Sequence, residues 1–232
     1  DPYVTVATTT SCFLADKLRE KGKMVHLVLN RLSQQDIVWA NAVKPHEPTE
    51  VIRVGYLSGT PSHNKDFATI SEALIILFEK YPQVRLVLAG PLDTEDRLSA
   101  YADRIDRLPF VPRADLFQNI ASLDINLAPL EIGNPFCESK SELKFFEAGI
   151  VGVPPVAAAT RTFREAITDG IDGIVASNID EWVAKIGQLI ADPVLRAQIG
   201  RAAHETATEK YTNTNAKNAP YYEYLRAVLK KD

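Results

Sequence analysis

The chain has 232 residues, a formal net charge of −4, 46% hydrophobic residues and 24% charged ones, the balance of a globular protein with a core of its own. The mildly acidic charge argues against nucleic acid as a main partner, because a polyanion asks for a basic surface. No apolar run approaches the roughly 20 residues that a membrane-spanning helix needs, so no membrane span is expected and peripheral membrane contact stays open.

The chain opens on Asp1, Pro2 and Tyr3 without the basic region or cleavage site of a secretory leader. Cys12 and Cys137 are too few and too far apart for a disulfide framework, which fits a reducing cytoplasm. His26, His46, His63 and His204 have no ligand-like spacing to either cysteine, so no metal and no cofactor are expected.

In chain order, short β-branched runs alternate with helical patterns. Strands are expected at Val4–Ala7, Val25–Leu29, Ile52–Leu57, Arg85–Ala89, Ile105–Leu108, Asp124–Ala128, Pro154–Ala158 and Gly173–Ala176. "RLVLAG" and "DINLAPL" are mostly apolar rather than alternating, the mark of strands covered on both faces. Helices are expected at 66–80, 95–102, 113–122, 139–150, 162–168 and 179–190. Repeated strand–helix–strand units imply an α/β fold with a doubly wound parallel sheet. Residues 1–44 hold two strands and a helix, too little to close a domain, and read as the remnant of another one. "VKPHEPTE" supplies a linker over 45–50. Residues 51–192 make a complete Rossmann-like unit, and 193–232 are helical.

Six strands wound 3-2-1-4-5-6 open a crevice between the first and the fourth, past their carboxyl ends. The two connections that meet there, "SGTPSHNKDF" and "PLEIGNPFCESKSELK", are the longest and most polar of the unit, and such loops usually carry function. Ser139 followed by Glu142 has capping-box spacing, which places a helix start near Lys140, with Pro135 discouraging an earlier one. Free N–H donors at a helix N-terminus attract anions. Lys140, Lys144 and Glu147 fall on one face of such a helix. A lysine there can neutralise phosphate, and the carboxylate deeper in can accept from the two hydroxyls of a ribose. On the facing loop, Gly59 permits close backbone approach, Thr60 and Ser62 bring hydroxyls, and His63 and Lys65 bring an imidazole and a cation. The ligand described is a nucleoside diphosphate held without a metal.

The order of the segments "VGYLSGTPSHNKDFATISEAL", "RLVLAGPL", "FVPRADLFQNIASLDINLAPLE", "KSELKFFEAGIVGVPPVAA" and "REAITDGIDGIVA" resembles the C-terminal, donor-binding domain of a GT-B glycosyltransferase of family 4 (group 1). Residues 1–44 then look like the end of the N-terminal, acceptor-side domain, and the helix around Tyr221–Lys230 like the one that returns to brace it.

The resemblance makes Glu147 the carboxylate that holds the donor ribose. Its usual partner seven residues earlier falls on Ser139, a departure, with Glu138 one position away. Lys65 matches the lysine on the donor diphosphate, while the customary arginine before it is replaced by Gly59 or Thr60, and Lys140 stands where it can restore that charge. Ser141 and Lys144 share the donor segment, and Val111 begins the segment beside the nucleobase.

The implied chemistry is sugar transfer, with retention, from a nucleoside-diphosphate sugar to a glycan, lipid or small-molecule acceptor, with Lys65, Lys140 and Glu147 catalytic. Two other readings fit: a non-catalytic nucleotide-sugar-binding module serving a partner domain, and a GT-B-fold nucleotide-sugar epimerase.

Overall fold

A computed structural model of the chain describes residues 3–44, 46, 49–59, 63–94, 96–212 and 219–230. Near the N-terminus, β1 (Val6–Thr9) and β2 (Met24–Leu27) pair in parallel across helix α1 (Cys12–Arg19). A second helix, α2 (Gln34–Ala42), stands where the sequence suggested only one in residues 1–44. Its start is a capping box: Ser33 Oγ accepts the Asp36 N–H, and the Asp36 carboxylate accepts the Ser33 N–H. The signal was readable, but its acid is Asp where Glu or Gln is usual.

The second sheet has six parallel strands: β3 (Ile52–Leu57), β4 (Val84–Ala89), β5 (Ile105–Leu108), β6 (Ile125–Ala128), β7 (Pro155–Ala158) and β8 (Ile174–Ala176). Their order is β5-β4-β3-β6-β7-β8, the winding expected, with β3 hydrogen-bonded to both β4 and β6. Side chains alternate between the faces. Val54, Tyr56, Leu86 and Leu88 enter one buried cluster, and Leu57, Val87 and Ala89 the other. Both faces are covered there, which is why β3 and β4 are apolar but for Arg53 and Arg85 near their starts.

The covering helices are α3 (Asn64–Ala68), α4 (Ser71–Lys80), α5 (Arg113–Ala121), α6 (Pro135–Glu138), α7 (Leu143–Ile150), α8 (Arg161–Ala166), α9 (Ile179–Ala191), α10 (Pro193–Tyr211) and α11 (Ala219–Leu229). The stretch Asp96–Arg104 is 3-10 helical.

Two expected helices are broken. Residues 66–80 divide because the Thr69 hydroxyl donates to the Asp66 carbonyl at 2.6 Å and Ile70 leaves helical geometry at φ −112°, ψ 0°. The helix expected over 139–150 starts at Leu143, and the Ser139–Glu142 capping box does not form. Ser139 instead closes α6, its hydroxyl donating to the Phe136 carbonyl at 2.7 Å, and Glu142 turns inward to 3% exposure. Pro135, expected to bar helix, opens α6 in its first turn, where the absent N–H leaves nothing unsatisfied.

Residues 1–44 are tied to the rest by long-range bonds. Asn30 Nδ2 donates to Ser141 Oγ at 2.8 Å, the Leu32 N–H to the Tyr211 carbonyl at 2.8 Å, and Ser11 Oγ to the Ser139 carbonyl at 3.0 Å. Tyr224 of α11 sets its ring 4.7 Å from that of His26 on β2.

Behind the sheet, α10 lies against α7. Phe146 stacks on Tyr211 with ring centroids 4.5 Å apart, and a Cβ on Gly149 would stand 2.7 Å from the Ala203 carbonyl oxygen. Backbone cannot yield as a flexible side chain would, so Gly149→Ala is expected to cost about 1–3 kcal/mol by overpacking. Thermal unfolding checks this: a fall in Tm of several degrees is expected, and an unchanged Tm would mean that α10 does not approach α7 this closely.

Candidate functional site

The chain leaves β3 toward β4 on one side, while β6 lies on the other, so successive crossovers diverge from the β3–β6 boundary and leave a gap past the strand ends. A cavity of about 540 Å³ fills that gap, within the size range of small-molecule sites. Its floor is the end of β3 through Gly59, with Ala128–Leu130 after β6. One wall is Gly90 after β4, Pro109–Val111 after β5, and Arg113, Leu116 and Asn119 of α5. The other is Lys140, Ser141, Leu143, Lys144 and Glu147. Gly90 has φ +84°, and a Cβ there would meet the Ser58 carbonyl oxygen at 2.0 Å, so glycine alone lets the loops after β3 and β4 come together.

Asp66, 2% exposed, anchors one side. Its Oδ2 accepts from Lys140 Nζ at 2.8 Å and from His63 Nδ1 at 3.0 Å, and its Oδ1 accepts from the Cys137 thiol at 3.2 Å. Burial alone would raise this carboxyl, but the bonds from His63, Lys140 and Cys137 outweigh it and hold the pKa at about 2. The Cys137 thiol is pushed the other way, up to about 11, by burial and by the adjacent carboxylate. Asp66 therefore fixes two cavity-lining side chains from behind, since Lys140 and His63 line the cavity and it does not.

Lys144 is held differently. Its ammonium donates to the Leu57 carbonyl and lies 5.2 Å from the centre of the Tyr56 ring. It makes no ion pair among the described residues, and burial pulls its pKa below the ordinary lysine value. Glu147, 6% exposed, accepts through Oε1 from an Arg113 Nη at 2.7 Å, and Arg113 Nε donates to Asp36 Oδ1 at 2.6 Å. Burial would raise the Asp36 carboxyl as well, yet the bonds from Arg113 and Ser33 leave it below the usual range. Glu142, just ahead of α7, points away from this wall: burial raises its carboxyl, and Tyr211 hydrogen-bonds to it.

Of the residues singled out from the sequence, Gly59, His63, Val111, Lys140, Ser141, Lys144 and Glu147 line the one cavity. Lys65 is exposed on α3 and is not part of the lining. Glu138 faces elsewhere, accepting from the Arg161 N–H at 2.8 Å and the Gly133 N–H at 3.0 Å, and so caps α8 and closes its own loop. Ser139 is likewise spent on α6. Thr60 and Ser62 lie outside the described residues. Lys140 reaches the cavity from the turn before α7 rather than from a helix face shared with Lys144.

Sequence reasoning missed Arg113 and the anchoring role of Asp66, since both act through partners far away in the chain. Asp66, Glu131 and Cys137 bring ligand atoms within 4.8 Å of one another. The donor set suits a cation poorly, because Lys140 already neutralises Asp66 and the thiol stays protonated at neutral pH.

Residues 72–218 match the family described as glycosyl transferase-like. A D-inositol 3-phosphate glycosyltransferase of Mycobacterium marinum is 30% identical over 170 residues, which cover 64% of this chain and 34% of that protein. The chain thus spans about a third of the length of such a relative. Among solved structures, a glycosyltransferase from Rickettsia africae superposes with a TM-score of 0.77 at 15% identity, covering 97% of this chain and 64% of that one. HepE from Anabaena, in complex with UDP-glucose, gives 0.74 at 17% identity, covering 95% and 64%. At these identities the likeness to the solved structures concerns the fold.

The Asp66 carboxyl falls from an ordinary 3.8 to about 2 on folding. A depressed carboxylate contributes stability above its unfolded pKa and loses it as pH drops through the folded one, here on the order of 2 kcal/mol. Thermal melts of wild type and Asp66→Asn should therefore differ most above pH 3.8 and converge near pH 2. A gap that persists unchanged into that acid range would mean that the Lys140 and His63 bonds do not stabilise the carboxylate.

Proposed function

This chain belongs to the glycosyl transferase-like family, and from that premise we propose that its cavity holds the nucleoside diphosphate of a sugar donor. The chain is then the donor-binding part of a retaining glycosyltransferase of family 4 (group 1), which moves a sugar to a glycan, lipid or small-molecule acceptor. The observation that carries this reading is Lys144: a half-buried ammonium on the cavity wall that makes no ion pair among the described residues, the Glu147 and Asp66 carboxylates acting on it only from beyond ion-pair distance. A buried cation lacking a counter-charge is costly, and an anionic ligand supplies that charge. Next to it, α7 begins without a side-chain cap; the Phe145 N–H is taken by the Glu142 carbonyl, which leaves the Leu143 and Lys144 N–H groups at the helix start to face the same anion.

Each group then has a task. Lys140 and Lys144, with His63 and the α7 amides, hold the diphosphate and stabilise the charge that gathers on it as the sugar departs. Fixed donors in a site that excludes water are worth several kcal/mol there. Glu147 accepts from the ribose hydroxyls. The segment from Val111 borders the base, and Gly59 and Ser141 shape the sugar-facing edge. These residues act without a metal. Lys65 needs a change of side-chain position to join them.

The proposed division keeps residues 1–44 as part of the acceptor-side domain, 45–50 as linker, 51–192 as the donor domain and 193–232 as the helices that tie the two. Among the described residues no helix is long and apolar enough to cross a membrane, and we place the protein in the cytoplasm. That HepE was crystallised with UDP-glucose makes UDP the first ligand to try.

Calorimetry with UDP, GDP and ADP tests the reading. One of them should bind, and Lys144→Met should weaken it by roughly ten-fold or more, the worth of a bond to a charged group. Because burial lowers the Lys144 pKa, its charge is lost as pH rises through that lowered value, so wild-type affinity should fall before the ordinary lysine value of 10.5 is reached. No binding of any of the three, or full affinity in Lys144→Met, would refute the assignment.

A further inference from the structure

Asp36, Arg113 and Glu147 form a chain of charged hydrogen bonds from α2 to the cavity wall. At its far end Asp36, with a 6% exposed side chain, divides its two oxygens: Oδ2 accepts from the Ser33 N–H and hydroxyl, both at 2.8 Å, and Oδ1 accepts from Arg113 Nε at 2.6 Å. Arg113 passes a second bond, 2.7 Å long, to Glu147 Oε1. Glu147 has an 8% exposed side chain, and its Oε2 has no hydrogen-bond partner among the described residues. Every other oxygen of the two carboxylates is occupied, so the chain ends on one open acceptor of a cavity-lining side chain.

We propose that Arg113 is a positioning residue for Glu147, and that Asp36, outside the cavity, acts through it: together they lock the carboxylate so that Oε2 is presented to a ligand hydroxyl. The inference rests on the nucleotide reading given above and adds to it the residues that set how the ribose is recognised. A guanidinium suits the task because its planar fork directs two bonds at once and keeps its charge at any working pH, which a lysine ammonium cannot match in geometry. Released from that fork, Glu147 keeps its place on α7 but gains rotamer freedom, and a hydroxyl must then bind against the entropy of reordering it. Asp36 sits in residues 1–44, so the grip on the ribose depends on a segment outside the six-stranded sheet.

The test compares three probes by calorimetry: UDP, its analogue lacking both ribose hydroxyls, and inorganic pyrophosphate. Arg113→Gln is expected to weaken UDP by roughly ten-fold while leaving the other two unchanged, and Asp36→Asn should do the same to a smaller degree. Arg113→Lys should recover only part of the loss. Equal weakening of all three probes would place Arg113 on the phosphates and overturn the proposal, and so would unchanged UDP affinity. Asp36→Asn, which removes no cavity group, carries the same test if Arg113→Gln fails to melt cooperatively. Wild-type protein that binds none of the probes would instead remove the nucleotide reading itself.

Discussion

A lysine ammonium against a tyrosine ring and a main-chain carbonyl, in no ion pair among the described residues and with burial outweighing the more distant Glu147 and Asp66 carboxylates, favours a further negative charge beside it. Lys144 is in that position, and much of the surrounding architecture serves it. The reversal of strand order between β3 and β6 opens the space in front of it. The Leu57 carbonyl at the end of β3 and the uncapped start of α7 fix its ends. The close contact of α10 with Gly149 holds α7 in place from behind.

The remaining charges around the cavity are arranged in two sets. Asp66 stands behind Lys140 and His63 and turns them toward the opening, while Arg113 stands between Asp36 and Glu147 and turns the latter. In the first set a buried carboxylate fixes its partners, and in the second an exposed guanidinium bridges two buried carboxylates, so that the side chains at the wall are oriented before a ligand arrives. Preorganisation of this kind lowers the ordering cost of binding and is most effective in a concave site that sheds water.

Much of this was legible in the sequence. The inner strands of the large sheet are mostly apolar because both faces are buried, and alternation with helices fixed their winding, which in turn located the cavity. Lys144 and Glu147 could be placed together because they are neighbours on one helix.

What local patterns could not show was competition. Ser139 and Glu142 have capping-box spacing, but the Ser139 hydroxyl is used one turn earlier by Phe136 and Glu142 is drawn inward beside Tyr211. Arg113 finds Glu147 34 positions away and Asp36 77 positions away, so no periodicity announces either pair. Lys65 has the right neighbourhood in sequence, yet the short α3 presents it to solvent while His63 lines the site and Asp66 is buried behind it.

If Lys144 meets a phosphate, a crystal structure of the chain with UDP bound will show it. A diphosphate oxygen is expected within about 3 Å of Lys144 Nζ, the length of a charged hydrogen bond, in the gap beyond β3 and β6. A nucleotide seated elsewhere on the molecule, or one in the cavity with Lys144 still bonded to the Leu57 carbonyl and no phosphate oxygen near it, would contradict it.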